Sequence, residues 1–207
     1  MTKQILVVSV SPRGDESFSR TVAQKLDARL HAEFPDARYV YRDLAEDNLP
    51  HPDSNTLKAI ASKDPKEMEA HRDAGRLSDK LTAELLASDL LVIATPMWNF
   101  GIPSALKAWI DLVVRPGKTF QYAGAVVEGL AKGKKAILII SSGGVFSDGP
   151  WKPWDYVEPY LRQILKFIGI ENVQTVRVEG SNIPPLAPAT ISDAEKAINA
   201  LDLFGPR

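Results

Sequence analysis

Three short segments of the sequence carry residues with chemical use, and none of them offers a strong nucleophile. The first runs Ser9-Val-Ser-Pro-Arg-Gly-Asp-Glu-Ser-Phe-Ser19 and places hydroxyls at Ser11, Ser17 and Ser19 just ahead of a helical pattern. A helix start adds free backbone N–H groups and the positive end of a dipole, a combination suited to a phosphate. The plainer reading of the same residues is a helix cap at Ser17 and a turn at Gly14. The second segment is Thr95-Pro-Met-Trp-Asn-Phe-Gly-Ile-Pro-Ser104. Pro96 turns the chain out of a strand and Pro103 opens a helix, so Met97, Trp98, Asn99 and Phe100 form a stiff, exposed bridge. Apolar walls beside available backbone amides suit a flat heteroaromatic ring, unless these aromatics simply fill a gap in the core. The third segment, Ser141-Ser-Gly-Gly-Val-Phe146, contains adjacent Gly143 and Gly144, which permit close backbone approach and positive φ, or merely a turn.

Other chemistries are excluded by composition. The 207 residues include no cysteine, so disulfides, thiolate catalysis, iron–sulfur clusters and Cys-ligated zinc are out. His31, His51 and His71 stand apart, without the short spacings that bring two imidazoles to one metal. Twenty-five Lys and Arg against 26 Asp and Glu leave a formal charge of −1, which supplies no basic field for nucleic acid or an anionic membrane. Apolar runs reach about five residues, far short of the roughly 20 that span a bilayer. The N-terminal apolar run reads as a strand rather than a signal peptide, so a cytoplasmic protein is expected. A dinucleotide fingerprint is missing, and Gly117-Lys118-Thr119 fails as a nucleotide loop because Leu112 stands where its first glycine would be.

The elements that must position these loops follow from periodicity. Apolar runs at Ile5 to Val10, Leu90 to Ala94, Ala136 to Ile140 and Val173 to Val178 predict strands buried on both faces, with a weaker strand at Arg38 to Arg42. Helical stripes run through Val22, Leu26 and Leu30; through Leu77, Leu81 and Leu85; and through Leu106, Trp109, Ile110 and Val113. Another runs from Trp154 through Val157, Leu161, Ile164, Leu165 and Ile168 to a stop at Gly169, and a last helix covers about Ser192 to Leu201. Alternating strands and helices predict an α/β fold, an open parallel sheet covered on both sides in one domain, residues 1–207. The polar stretch 47–66 reads as an insertion over the sheet edge. Such sheets bind ligands at the carboxyl ends of their strands, which is where all three segments fall.

Taken together, Ser11 with Ser17-Phe-Ser19, the Pro96–Pro103 bridge, Lys107 with Asp111, Phe120 with Tyr122, Glu128-Gly-Leu130 and Ser141-Ser-Gly-Gly144 resemble the FMN-dependent NADH-azoreductases and their quinone-reductase relatives. The resemblance implies a three-layer, doubly wound flavodoxin-like fold with five parallel strands in the order 2-1-3-4-5, assembled as a homodimer. It implies FMN held by Ser11, Ser17, Phe18 and Ser19 at the phosphate, by Pro96, Met97, Trp98, Asn99 and Phe100 along the ring, and by Ser141, Ser142, Gly143 and Gly144 at the pyrimidine side. Tyr122, Phe146 and Phe167 are the implied walls of a substrate pocket. The implied activity is two-electron, ping-pong reduction of quinones and azo compounds by NADH or NADPH, with no catalytic side chain and no metal. A flavodoxin-like electron carrier and an NADPH-dependent flavin reductase are the alternatives. Trp98 stands where relatives often have tyrosine, and Ser142 where some carry a charge.

Overall fold

The computed structural model describes residues 2–124 and 126–204. Five strands form one parallel sheet: β1 (Gln4–Ser9), β2 (Arg38–Asp43), β3 (Leu90–Pro96), β6 (Lys135–Ser141) and β7 (Asn172–Val178), in the order β2-β1-β3-β6-β7. A separate antiparallel hairpin, β4 (Phe120–Ala123) and β5 (Val126–Gly129), lies between β3 and β6 in sequence. With the hairpin set aside, the sheet order is the expected 2-1-3-4-5.

Strand alternation divides the sheet into two cores. Ile5 and Val7 of β1 face α1 (Phe18–Glu33) and α7 (Thr190–Asn199) through Val22, Leu26, Leu30, Ala194 and Ile198. Leu6 and Val8 face the other way, toward α4 (Arg72–Ala87), α5 (Ser104–Val113) and α6 (Glu158–Phe167) through Leu81, Leu85, Leu106 and Leu161. Central strands sandwiched this way have no polar face, which is why they read as unbroken apolar runs. β7 departs from that pattern. It is a sheet edge, and only Val176 and Val178 are buried, because its outer side has no neighbouring strand.

The polar stretch 47–66 contains α2 (Ser54–Ala61), capped by Asp53 accepting from the Thr56 amide at 2.7 Å, and the start of α3 (Pro65–Ala70). Its packing rests on a few residues. At Gly75 of α4 a Cβ would stand 3.1 Å from the Ala59 Cβ of α2. Arg115, buried, donates to the Ser78 hydroxyl at 2.7 Å, to Asp79 at 3.1 Å and to the Ile60 carbonyl at 3.4 Å, tying the end of α2 to α4.

Two boundaries differ from the sequence reading. Pro103 is the cap before α5 rather than its first residue. Trp154 is not on α6: Lys152–Trp154 form a 3-10 turn, and Asp155 intervenes and starts the helix, accepting from the Val157 and Glu158 amides at 2.9 and 3.1 Å. The hydrophobic stripe therefore runs one turn too far, since an exposed Trp154 happens to fall in helical register.

Candidate flavin site

The carboxyl ends of β1, β3 and β6 meet where the sheet order reverses, between β1 and β3, and a narrow cleft of about 190 Å³ opens there. Ser11, Ser17, Pro96, Met97, Ser141 and Gly143 all line it. Three segments distant in sequence thus share one crevice, as expected for this class of sheet. Arg13 is the only titratable side chain among the described lining residues, so the cleft offers shape and dipoles rather than an acid or base.

The serine end is a helix terminus. Ser17 caps α1, its Oγ accepting from the Arg20 amide at 3.3 Å and lying 3.2 Å from the Ser19 Oγ. Ser11, Ser17 and Ser19 are buried. The cap and the phosphate readings are therefore compatible: Ser17 uses a lone pair to cap the helix and keeps its hydroxyl hydrogen, while the first amides of α1 point out of the end. Behind them Arg20 spans from Asp43, at 2.6 and 3.0 Å, to the Ser11 carbonyl at 2.7 Å. Its guanidinium holds the Asp43 carboxyl below the usual range. Sequence reading missed this pair because an arginine on a helix and an aspartate ending a strand carry no local signal.

The bridge is a tight turn under strain. Trp98 and Gly101 exchange both backbone hydrogen bonds at 2.9 Å, and between them Asn99 and Phe100 have φ of 48° and 67°. Two successive positive φ values define a type I′ turn, tolerable for asparagine and unfavourable for phenylalanine by about 1–3 kcal/mol. The amides of Asn99 and Phe100 donate none of the described hydrogen bonds. Trp98 is 44% exposed, so it is not core filling. The Met97 amide donates to the Ser141 carbonyl at 2.8 Å, joining bridge and glycine loop.

Gly143 and Gly144 serve a different need from the one their type suggests. Neither has positive φ. The loop after β7 zips onto them instead, the Gly180 amide donating to Gly144 at 3.1 Å and the Asn182 amide to Gly143 at 3.0 Å. A Cβ at Gly143 would stand 2.4 Å from the Asn182 side-chain nitrogen. Asn182 and Ser181 thereby join the cleft wall, along with Ser142. Ser181 and Asn182 were missed because the sequence reading took the loops after three strands and left out the fifth.

The three implied pocket aromatics do not gather here. Phe146 is buried, edge-on to Phe100 at 6.1 Å, and supports the bridge from behind. Phe167 packs on Phe120 at 4.7 Å, and Phe120 on Tyr122 at 5.6 Å, beside a groove of about 1000 Å³ that includes Lys135 and Asn172. Those are the first residues of β6 and β7, so the group sits at the far end of the sheet, about 20 Å from the cleft.

Fold and cleft together define a flavodoxin-like protein whose ligand site lies at the switch point of the sheet, and residues 3–201 match the family described by that fold. A curated relative from Beijerinckia indica, named FMN-dependent NADH:quinone oxidoreductase, is 62% identical over 97% of this chain and 100% of its own length. One of the same name from Agrobacterium fabrum is 41% identical over 96% of this chain and 94% of its own. An azoreductase structure from Bacillus anthracis superposes with a TM-score of 0.86 at 28% identity, covering 96% of this chain and 98% of that one. The chain belongs to the family of FMN-dependent NADH:quinone oxidoreductases. Among the described residues no helix is long and apolar enough to cross a membrane.

Proposed function

We propose that this chain is an FMN-dependent oxidoreductase that reduces quinones and azo compounds with NADH, acting in the cytoplasm as a homodimer. The observation that carries the reading is that a serine-lined helix end and the Pro96–Trp98 start of a strained turn line one cleft. The donor set fits the cofactor. Ser11, Ser17 and the first amides of α1 would take its phosphate, and Met97 to Phe100 with Ser142 to Gly144 its ring. Bound FMN supplies the redox chemistry, two-electron exchange with the nicotinamide and then with the acceptor.

The protein's part is position and electrostatics. The Asn99 and Phe100 amides of the type I′ turn, without partners in the described backbone hydrogen bonds, would be available to the ring, where N–H donors stabilise developing negative charge. Its strain is held by Phe146 and by Trp154, edge-on to Phe100 at 5.1 Å. Tyr122, 70% exposed, and its cross-strand partner Val127 leave an apolar hairpin face uncovered. A second copy laid on that face would cover it, which favours the dimer.

The purified chain is expected to carry or take up FMN, with yellow absorbance bands, to sediment as a dimer, and to give parallel double-reciprocal lines for NADH and a benzoquinone. A chain that binds no FMN refutes the reading. Accumulation of a one-electron reduced flavin on photoreduction, with no quinone turnover, would make it a carrier instead. Arg20→Met removes the brace behind the serine loop; FMN retention in dialysis is expected to weaken about tenfold to a hundredfold, as for one charged hydrogen-bond group worth about 1.5–3 kcal/mol.

A further inference from the structure

Beside the cleft lies a second, larger chamber of about 660 Å³ between the loop after β6 and the loop after β7. Gly143 and Asn182 line both spaces, so the two adjoin. Its other walls are chiefly apolar: Val145, Pro150, Trp151 and Ile183. No cationic side chain is among its described lining residues, and the one charge is the carboxylate of Asp148.

The chamber is braced. Glu179 accepts from the Phe146 and Ser147 amides at 2.9 Å each, and from the Ser147 hydroxyl at 2.5 Å. Trp151 stands edge-on to Phe146 at 5.5 Å and tilted to Trp154 at 6.0 Å. The Tyr156 amide donates to the Phe100 carbonyl at 3.1 Å, tying the loop to the flavin-side turn. Trp151 is nonetheless half exposed, an apolar wall held in place by its aromatic neighbours.

Resting on the quinone-reductase reading above, we propose that this chamber takes the hydrocarbon tail of the acceptor, so that the preferred substrates are quinones bearing a long alkyl or isoprenoid chain. A hydrocarbon fits its chemistry. A dinucleotide does not, since its diphosphate would meet Asp148 with no cation to pair. Adjacency at Gly143 and Asn182 would let the head group stack on the ring at the cleft's edge while the chain extends past Trp151. Each buried methylene strengthens binding roughly fourfold, so even three buried carbons exceed a tenfold effect.

The test compares two benzoquinones of identical ring, one carrying a ten-carbon chain and one a methyl group, on the FMN-loaded enzyme. The long-chain compound is expected to have a kcat/KM at least tenfold higher. Its hydroquinone is expected to bind at least tenfold tighter in calorimetry, with a more negative heat-capacity change. In Trp151→Ser, and separately in Ile183→Asn, the preference should fall to within about twofold while the methyl compound is reduced as before. Equal kcat/KM for the two compounds in the unaltered enzyme, or a preference surviving both substitutions, overturns the proposal while leaving the quinone-reductase reading intact. Failure to reduce either compound overturns both.

Discussion

Gly129→Ala is expected to destabilise the protein by about 3 kcal/mol or more, because a single methyl group there has nowhere to go. A Cβ on Gly129 would stand 2.2 Å from the Gly169 nitrogen and 2.4 Å from the Ile168 carbonyl carbon. Both are backbone atoms, so no rotamer relieves the clash. Gly169 is itself committed. With φ of 99°, it ends α6 in a Schellman arrangement, its amide donating to Lys166 at 3.0 Å and the Ile170 amide to Leu165 at 2.8 Å. The two glycines are where the β4–β5 hairpin crosses the end of α6, and the Ala131 amide donates to the Ile168 carbonyl at 2.8 Å alongside. For a chain of this length the melting temperature should fall by roughly 6–12 °C. Gly133→Ala is the control: φ is 76° but no atom lies within 4 Å, so only backbone strain of about 1 kcal/mol is expected. Equal melting of the two variants in calorimetry would show that the crossing is looser than described. In the dimer proposed above, the hairpin presents Tyr122, so Gly129→Ala should also weaken association.

The parts of this architecture legible in the sequence are those whose physics is local. The sheet's central strands read clearly because burial on both faces leaves them uniformly apolar, as in Leu90–Pro96. The turn at Asn99 and Phe100 was legible as a stiff bridge from its flanking prolines, but its type I′ geometry was not, since phenylalanine is a poor resident of positive φ. What forces it there is tertiary: Phe146 and Trp154 hold its ring from two sides. The hairpin escaped the periodicity search because each strand is four residues long and Tyr122, Val126 and Val127 are exposed. The packing constraint on Gly143 was illegible for a related reason. Its lack of a side chain serves Asn182, about forty residues further along the chain, and such a contact leaves no mark on the residues beside it. The serines were legible as a group because a helix cap and a phosphate site ask for the same atoms, and the cap at Ser17 is there.

The same distinction between local and long-range determinants bears on Arg177→Leu, expected to destabilise the protein by about 3–5 kcal/mol at neutral pH. Arg177 lies at the end of β7 and is largely buried. Its guanidinium donates to Asp155 at 2.5 Å and to Glu158, and lies 3.5 Å from Glu179. Each carboxylate does further work. Asp155 starts α6, Glu158 accepts from Arg162 at 2.7 Å and from the Thr175 hydroxyl at 2.7 Å, and Glu179 holds the Phe146–Ser147 amides. One cation thus joins the loop that walls the chamber to the sheet beneath it. Leucine of similar breadth fills the space but leaves three carboxylates facing one another with Arg162 alone beside them.

The pH dependence follows from Glu158. Burial raises its carboxyl, but hydrogen bonds from Thr175, Arg162 and Arg177 outweigh burial and hold it below the ordinary range. A carboxyl depressed in the folded state adds stability that is fully present above its unfolded value, about 4.3, and is lost as pH falls through the folded value. In Arg177→Leu the contribution of Arg177 is lost while burial and the neighbouring carboxylates remain, so the carboxyl rises from its depressed position and the stability it adds at pH 7 shrinks. The deficit against the unaltered protein should therefore be largest near pH 7 and narrow steadily toward pH 4 in urea titrations. Arg177→Lys, which keeps the charge but not the fork, should recover part of it. A deficit that does not change with pH would mean that the guanidinium acts by packing alone. Because the same loop carries Trp151, the variant should also lose its preference for long-chain quinones before it loses FMN, whose serine end stands on Arg20 and Asp43 instead.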